Sequence, residues 1–212
     1  MNISADNLQN VYNKISEHFN LTRYRVWPST ANFLNSLDIN SNNVEIGCGN
    51  GRNIFYRREL NILGVDFCEN FVKMVNKNGG KAILGRMENL QFEENSFDNL
   101  LCIAVFHHLD NDNDRLKTLN NFKKIVKKNG KLLISLWAME QEETSPVKFN
   151  KKEEMVPWTD RFSNQVYYRY YRIFEENDFE EYLKLVPELK IDEKFYENGN
   201  WIYILVNNKR YN

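Results

Sequence analysis

The most restrictive feature of this chain is a change of period. Past about residue 40, short apolar runs take over: VEI at 44–46, NILGVD at 61–66, KAIL at 81–84, NLLCIAVF at 99–106 and KLLISLW at 131–137. Such runs have the length and the unbroken apolar character of strands buried on both faces. Helical patterns separate several of them, FVKMVNK after the second run and RLKTLNNFKKIVKK between the fourth and fifth. Strand alternating with helix predicts an α/β fold, a mostly parallel sheet with helices on both faces. Upstream, Leu8, Val11, Tyr12, Ile15 and Phe19 form a helical stripe behind Ser4 as N-cap, and Pro28 opens a second helix bearing Phe33, Leu34 and Leu37. Downstream, a helix over NDFEEYLKLV precedes two strands, KIDEKFYE and NWIYILVNN, whose ENGN turn predicts an antiparallel last pair.

The 212 residues suit one domain. Residues 1–40 read as a helical cap and 140–175 as an insertion on the substrate side, with 140–165, polar and carrying two prolines, expected as loop. The formal net charge of -1 lacks the basic surplus of an autonomous nucleic-acid binder. Cys48, Cys68 and Cys102 are odd in number and lack metal-ligand spacing, so no metal site is expected and the thiols read as reduced, in the cytoplasm or the nucleus. The start of the chain is too polar for a signal peptide, and no apolar run approaches a membrane span.

The first strand ends in VEIGCGNG, residues 44–51. A strand entering a glycine turn at a helix start brings backbone N–H groups against a ligand, and glycines leave room for that approach. The second strand ends in Asp66, about twenty residues on, where an acid accepts the ribose hydroxyls of an adenosine or, alternatively, caps the next helix. An acid before three alternate glycines, followed by an acid ending the second strand, resembles the class I S-adenosylmethionine-dependent methyltransferases. That resemblance implies a Rossmann-like seven-stranded sheet with its last strand antiparallel. It also implies a cofactor pocket of Glu45, Gly47, Gly49, Asn50, Gly51, Asp66 and Phe67, flanked by Met87 and Ile103. One departure stands out: Arg86 occupies the place of the usual acid after the third strand, so the adenine contact falls to backbone near Met87 or to Glu88.

TRYRVWP (22–28), IAVFHH (103–108), LISLWAMEQ (133–141), VPW (156–158) and YRYY (168–171) narrow the likeness further. In this order they resemble the tRNA carboxymethyluridine methyltransferases, which esterify the 5-carboxymethyl group of the wobble uridine. A carboxylate is ionised at neutral pH and needs no general base, only desolvation and aim. Arg23 and Arg169, within these motifs, are the candidates to hold it. His108 is expected to face the substrate and His107 to be structural. Trp137 is the aromatic expected beside a flipped base. Lys123, Lys124, Lys127 and Lys128 read as a solvated helix face or a phosphate patch. The family also implies a tRNA partner and a small zinc-binding activator subunit. An exposed edge at 81–84, with Phe67, Phe71 and Met74 as neighbouring apolar surface, is where such a subunit is expected to add a strand. A small-molecule O- or N-methyltransferase and a non-catalytic cofactor-binding module are the competing readings.

Overall fold

The computed structural model describes residues 5–145 and 147–209, so the cap expected at Ser4 lies outside it. Its strands are β1 (Asn42–Ile46), β2 (Asn61–Asp66), β3 (Lys81–Leu84), β4 (Phe97–Ile103), β5 (Val126–Trp137), β6 (Glu153–Thr159), β7 (Val166–Arg172), β8 (Leu189–Glu197) and β9 (Asn200–Asn207). Its helices are α1 (Ala5–Thr22), α2 (Pro28–Ser36), α3 (Glu69–Lys77), α4 (Asp112–Ile125) and α5 (Asp178–Lys184). Seven strands make one sheet in the order β3-β2-β1-β4-β5-β9-β8. β9 is antiparallel to both neighbours, and the remaining pairs are parallel. The turn before β9 places Asn198 and Gly199 in succession at φ 49° and 75°, the twist that a two-residue hairpin requires.

The central strands are apolar on both faces because both faces are covered. Leu100, Cys102, Leu132 and Ile134 pack with Leu119 and Phe122 of α4 and Phe179 of α5. The alternate residues Leu101, Ile103 and Leu133 pack on the other side with Phe33 and Leu34 of α2 and Val75 of α3. A period of two thus feeds two cores from one strand. Each fully buried aromatic or aliphatic side chain there contributes on the order of 1.5–3 kcal/mol.

Four local expectations are corrected. The glycine turn does not open a regular helix; residues 52–59 form successive turns, with Phe55 N–H donating to the Gly51 carbonyl at 2.9 Å. α4 stops at Ile125, because β-branched Val126 already pairs with Phe97 and Asn129 adopts φ 63°. Gly130 then passes Asp98, where a Cβ would lie 2.2 Å from the backbone oxygen. Lys127 and Lys128 therefore sit on a bulge of β5, not on a helix face. This bulge lies at the end of β5 opposite Trp137. Part of the expected 140–165 loop is a strand, β6, paired antiparallel with β7. Pro157 is compatible with that ribbon because a two-stranded sheet consists only of edges, and its ring is exposed while Val156 and Trp158 turn inward. Finally, β3 is indeed at the sheet edge, with Ile83 and Leu84 exposed, but Phe71 is buried with Phe67 against α1 and neither extends the edge. The edge itself is partly capped. The side chain of Asn76 accepts from Ala82 N–H at 2.7 Å and donates to its carbonyl at 2.9 Å.

A buried cation helps to fasten the β6–β7 ribbon to the main body. Arg115 of α4 donates to Asp112 at 2.6 Å, to the Leu109 carbonyl at 2.6 Å and to the Tyr170 hydroxyl of β7 at 3.1 Å. Arg115→Leu leaves those acceptors unmatched, so the urea midpoint should fall by an amount equivalent to about 2 kcal/mol with m unchanged. An unchanged midpoint would show that this tie carries no stability.

Candidate functional site

The carboxyl ends of β1, β2, β4 and β5 open into one cavity of about 890 Å³, roofed by α1, the 23–28 segment and β7. A smaller space of about 60 Å³ adjoins it around Phe67, Arg86 and Met87, sharing Gly47, Asp66 and Val105 with the first. Gly47 makes the approach possible. Its φ is +72°, and a Cβ there would meet the Val105 side chain at 2.3 Å. Gly51, at φ +79°, is closed in by Phe55 and Val75 and shapes the turn from behind.

Two buried acids face this turn. Asp66 accepts from Gly49 N–H and from Cys68 N–H, one on each oxygen, both at 2.8 Å. Burial pushes its pKa up to about 6. Each oxygen keeps a second lone pair, so the carboxylate still has capacity to accept from ribose hydroxyls. Glu45 accepts from Asn53 at 2.5 Å through one oxygen, while the other has no partner among the described residues. Burial pushes Glu45 up to about 7. A glycine cradle that a Cβ would fill, flanked by two buried acceptors, fits an adenosyl ligand bearing a positive charge.

The cavity wall also carries guanidiniums, among them Arg52, which acts on Glu45. Arg23 and Arg169 lie against the Trp158 ring, their guanidinium carbons 5.3 Å and 4.9 Å from its centroid. Neither has a carboxylate partner among the described residues. Arg169 is only 5 % exposed, and its Nε has no acceptor. A buried guanidinium without a counter-charge is costly, and a bound anion offsets that cost.

Of the residues expected at the site, Glu45, Gly47, Gly49, Asn50, Asp66, Phe67, Ile103, Arg23, His108, Trp137 and Arg169 all line the main cavity. Met87 lines the smaller space, and Gly51 lines neither. Arg86 pairs with Glu88 and rests 5.8 Å from the centroid of Phe67, so the Glu88 carboxylate is already engaged. Both histidines line the cavity, and they differ in how they are bonded. His108 is tied at both nitrogens, to the Tyr12 hydroxyl at 2.8 Å and the Tyr170 carbonyl at 2.9 Å. His107 has neither nitrogen bonded among the described residues and stacks on Tyr171 at 4.7 Å. The two neighbours sit on one tight turn, Phe106–His108, so their rings leave it in different directions. Burial, with His108 and Arg169 nearby, holds His107 well below its usual pKa; burial, with Arg169, takes His108 to about 3. Sequence reasoning missed Tyr12, which it placed only in a helical stripe, and Ala104, held at φ 57° with its N–H on Ser135. A non-glycine residue at positive φ beside a cavity marks a backbone set by its surroundings. Trp137 stacks with Tyr171 at 4.4 Å and remains half-buried at the cavity wall. The lysine run makes no part of this site, with Lys123 paired to Glu188 and Lys127 to Asp98.

A family model described as a methyltransferase domain matches residues 44–134. The tRNA (carboxymethyluridine(34)-5-O)-methyltransferase of Schizosaccharomyces pombe is 32% identical over 98% of this chain and 100% of its own length. The Xenopus tropicalis tRNA (carboxymethyluridine(34)-5-O)-methyltransferase alkbh8 is 24% identical over 96% of this chain but only 41% of its own length. Among solved structures, a chain from the complex of the Haloferax volcanii Trm112 methyltransferase activator with a methyltransferase superposes with a TM-score of 0.71. It covers 97% of this chain and 99% of that one at 13% identity, a likeness of fold alone.

Glu45 gives a pH test of the ligand-free site. Its folded pKa, about 7, lies above the ordinary carboxylate value, so its favourable contribution is complete below about pH 4 and is lost as pH rises through 7. Glu45→Gln should therefore gain stability over wild type between pH 5 and pH 8, by on the order of 2 kcal/mol. Denaturant melts at the two pH values read this difference directly. A constant difference would mean that Glu45 does not titrate in this window.

Proposed function

Because this chain belongs to the family of tRNA (carboxymethyluridine(34)-5-O)-methyltransferases, and is an S-adenosylmethionine-dependent tRNA methyltransferase, we propose that it converts the 5-carboxymethyl group of the wobble uridine to its methyl ester. The observation that carries this reading is the pair of guanidiniums, half-buried Arg23 and buried Arg169, facing the cavity without a carboxylate partner among the described residues. They suit a substrate whose reacting group is itself an anion. Bound S-adenosylmethionine supplies an activated methyl group. Glu45, Asp66 and the Gly47–Gly49 backbone are the residues to hold it. Arg23 and Arg169 strip water from the carboxylate and fix its direction. His107, neutral at working pH and free at both nitrogens among the described residues, is suited to a hydrogen bond with the uracil edge. Trp137 offers an apolar wall for the base. No group needs to take a proton, because a carboxyl with an ordinary pKa is already ionised at pH 7. The depressed basicity of both histidines agrees with that economy.

The same reading includes a partner, an activator subunit docking on β3 in the cytoplasm or nucleus. Support comes from the apolar edge residues Ile83 and Leu84, 44% and 57% exposed. A strand added there would compete with Asn76 for Ala82. The activator in the Haloferax complex is the corresponding kind of protein. Ile83→Lys should separate the two subunits on gel filtration after co-expression. A fully active chain that elutes alone would remove this part of the reading.

Arg169→Met should lower methyl transfer to tRNA bearing 5-carboxymethyluridine by at least roughly 100-fold, on the scale of a lost charge-assisted hydrogen bond at a reacting group. Its thermal midpoint should hold or rise, because the substitution removes a buried charge with no counter-ion. Wild-type turnover should show no ionisation near 6.5 from a histidine base. Intact turnover in Arg169→Met, or unchanged wobble nucleosides by mass spectrometry in cells lacking the protein, would refute the assignment.

A further inference from the structure

A second groove runs beside the main cavity, and its composition is unlike the rest of the surface. It has a volume of about 440 Å³ and lies between the 20–26 segment and the 50–58 turns. Tyr24, Val26, Asn50 and Arg52 line both spaces, so the two are contiguous. Its two walls are fastened together. The Asn50 side chain donates to Asn20 at 2.9 Å and to the Arg23 carbonyl at 2.8 Å.

No acidic residue lines this groove, although the chain has 29 acids against 28 lysines and arginines. Arg52 and Arg58 line it, and Arg25 stands at its junction with the main cavity. None of the three is ion-paired to a carboxylate among the described residues, whereas Arg57, next to Arg58, is taken by Glu59 at 2.7 Å. Their planar heads are held against rings: Arg25 5.6 Å from the centroid of Tyr24, Arg52 5.6 Å from Trp27 and Arg58 4.5 Å from Phe55. Arg58 also donates to the Asn78 carbonyl at 3.5 Å. Tyr24 and Tyr56 present large exposed rings, 69% and 43%. Positive groups without acids, interleaved with open aromatic faces, form the kind of surface that holds single-stranded nucleic acid by phosphate contact and base stacking. In the lysine run, by contrast, Lys123 and Lys127 are paired with Glu188 and Asp98, and Lys127 and Lys128 lie at the far end of the sheet.

We propose that this groove is the track for the RNA strand flanking the target nucleotide, with Arg25 and Arg58 on its phosphates and Tyr24 and Tyr56 under its bases. The inference rests on the tRNA reading above and adds a location for the strand that reading leaves undefined. It also reconciles a nearly neutral chain with a polyanionic substrate. The basic surplus is local, made by leaving acids out of one groove.

The test compares Arg25→Glu/Arg58→Glu with Lys123→Glu/Lys127→Glu in the full chain, together with any subunit that co-purifies. Binding of the anticodon stem-loop RNA is measured across a salt series, and S-adenosylmethionine binding is measured by calorimetry as a check on the cavity. The arginine variant should bind RNA at least roughly ten-fold more weakly, with its salt slope reduced by about 1.4 for two lost single-strand phosphate contacts. Arg58→Glu alone, at a residue that lines the groove and not the main cavity, should leave cofactor affinity at the wild-type value, and the lysine variant should bind RNA as wild type does. Tyr56→Ala should weaken binding by about ten-fold without changing the slope. If charge reversal prevents folding, Arg25→Gln/Arg58→Gln should show the same loss of slope. Wild-type RNA affinity and slope in the arginine variants, or the loss appearing in the lysine variant instead, would overturn the proposal. RNA binding that depends on the groove but brings no methyl transfer would spare the groove and refute the esterification.

Discussion

The buried carboxylate of Asp66 joins the parts of this molecule that must stay in register. One oxygen accepts from Gly49, in the turn after β1, and the other from Cys68, at the start of α3. The turn after β1 and the turn from β2 into α3 are thereby fixed to one side chain. The arrangement has a cost, since burial pushes both Asp66 and its neighbour Glu45 toward the neutral form. A fold that needed only a tight turn could use uncharged acceptors. Retaining two acids here makes sense if a cationic ligand completes the site, because its charge offsets the desolvation of both.

The guanidiniums pose the complementary problem. Arg23 arrives from the segment after α1 and Arg169 from β7, and both lie against the Trp158 ring. The cavity wall thus holds both signs of charge, although the whole chain carries a net charge of only -1. Arg52 lies near enough to Glu45 to lower its pKa against the upward push of burial, whereas Arg23 and Arg169 have no acid beside them among the described residues.

The sheet was legible because its signal is strong: apolar runs of strand length, separated by amphipathic helices, leave few alternatives. The glycines were legible because positive φ at Gly47, Gly49 and Gly51 leaves little freedom of residue type, and the acids because they stand at the strand ends beside that turn. What sequence reading missed depended on directions rather than identities. Strand β6 was hidden because its polar residues and Pro157 are tolerated only in a ribbon made wholly of edges. Phe67 and Phe71 were assigned to an exposed patch because sequence does not reveal that α1 folds back over them. The lysine run followed a helical period until Val126 and Asn129 broke it.

The two histidines at the end of β4 show why orientation is the harder problem. His108 Nδ1 faces the Tyr170 carbonyl, which can only accept, so that nitrogen must carry the proton of the neutral ring. Its Nε2 then accepts, and the Tyr12 hydroxyl must donate to it. With its hydrogen committed, the Tyr12 oxygen can only accept, and both the Arg169 guanidinium and the Tyr171 hydroxyl stand close to it. Arg169, Tyr170 and Tyr171 are consecutive in β7, so one strand supplies the carbonyl at one end of this chain and the neighbours at the other. A histidine buried deeply enough to stay neutral thus fixes the tautomer, and the tautomer fixes which way the hydroxyl donates. His107, one residue earlier on the same turn, stays outside this chain of bonds, and among the described residues its nitrogens remain available to whatever the guanidiniums bring in.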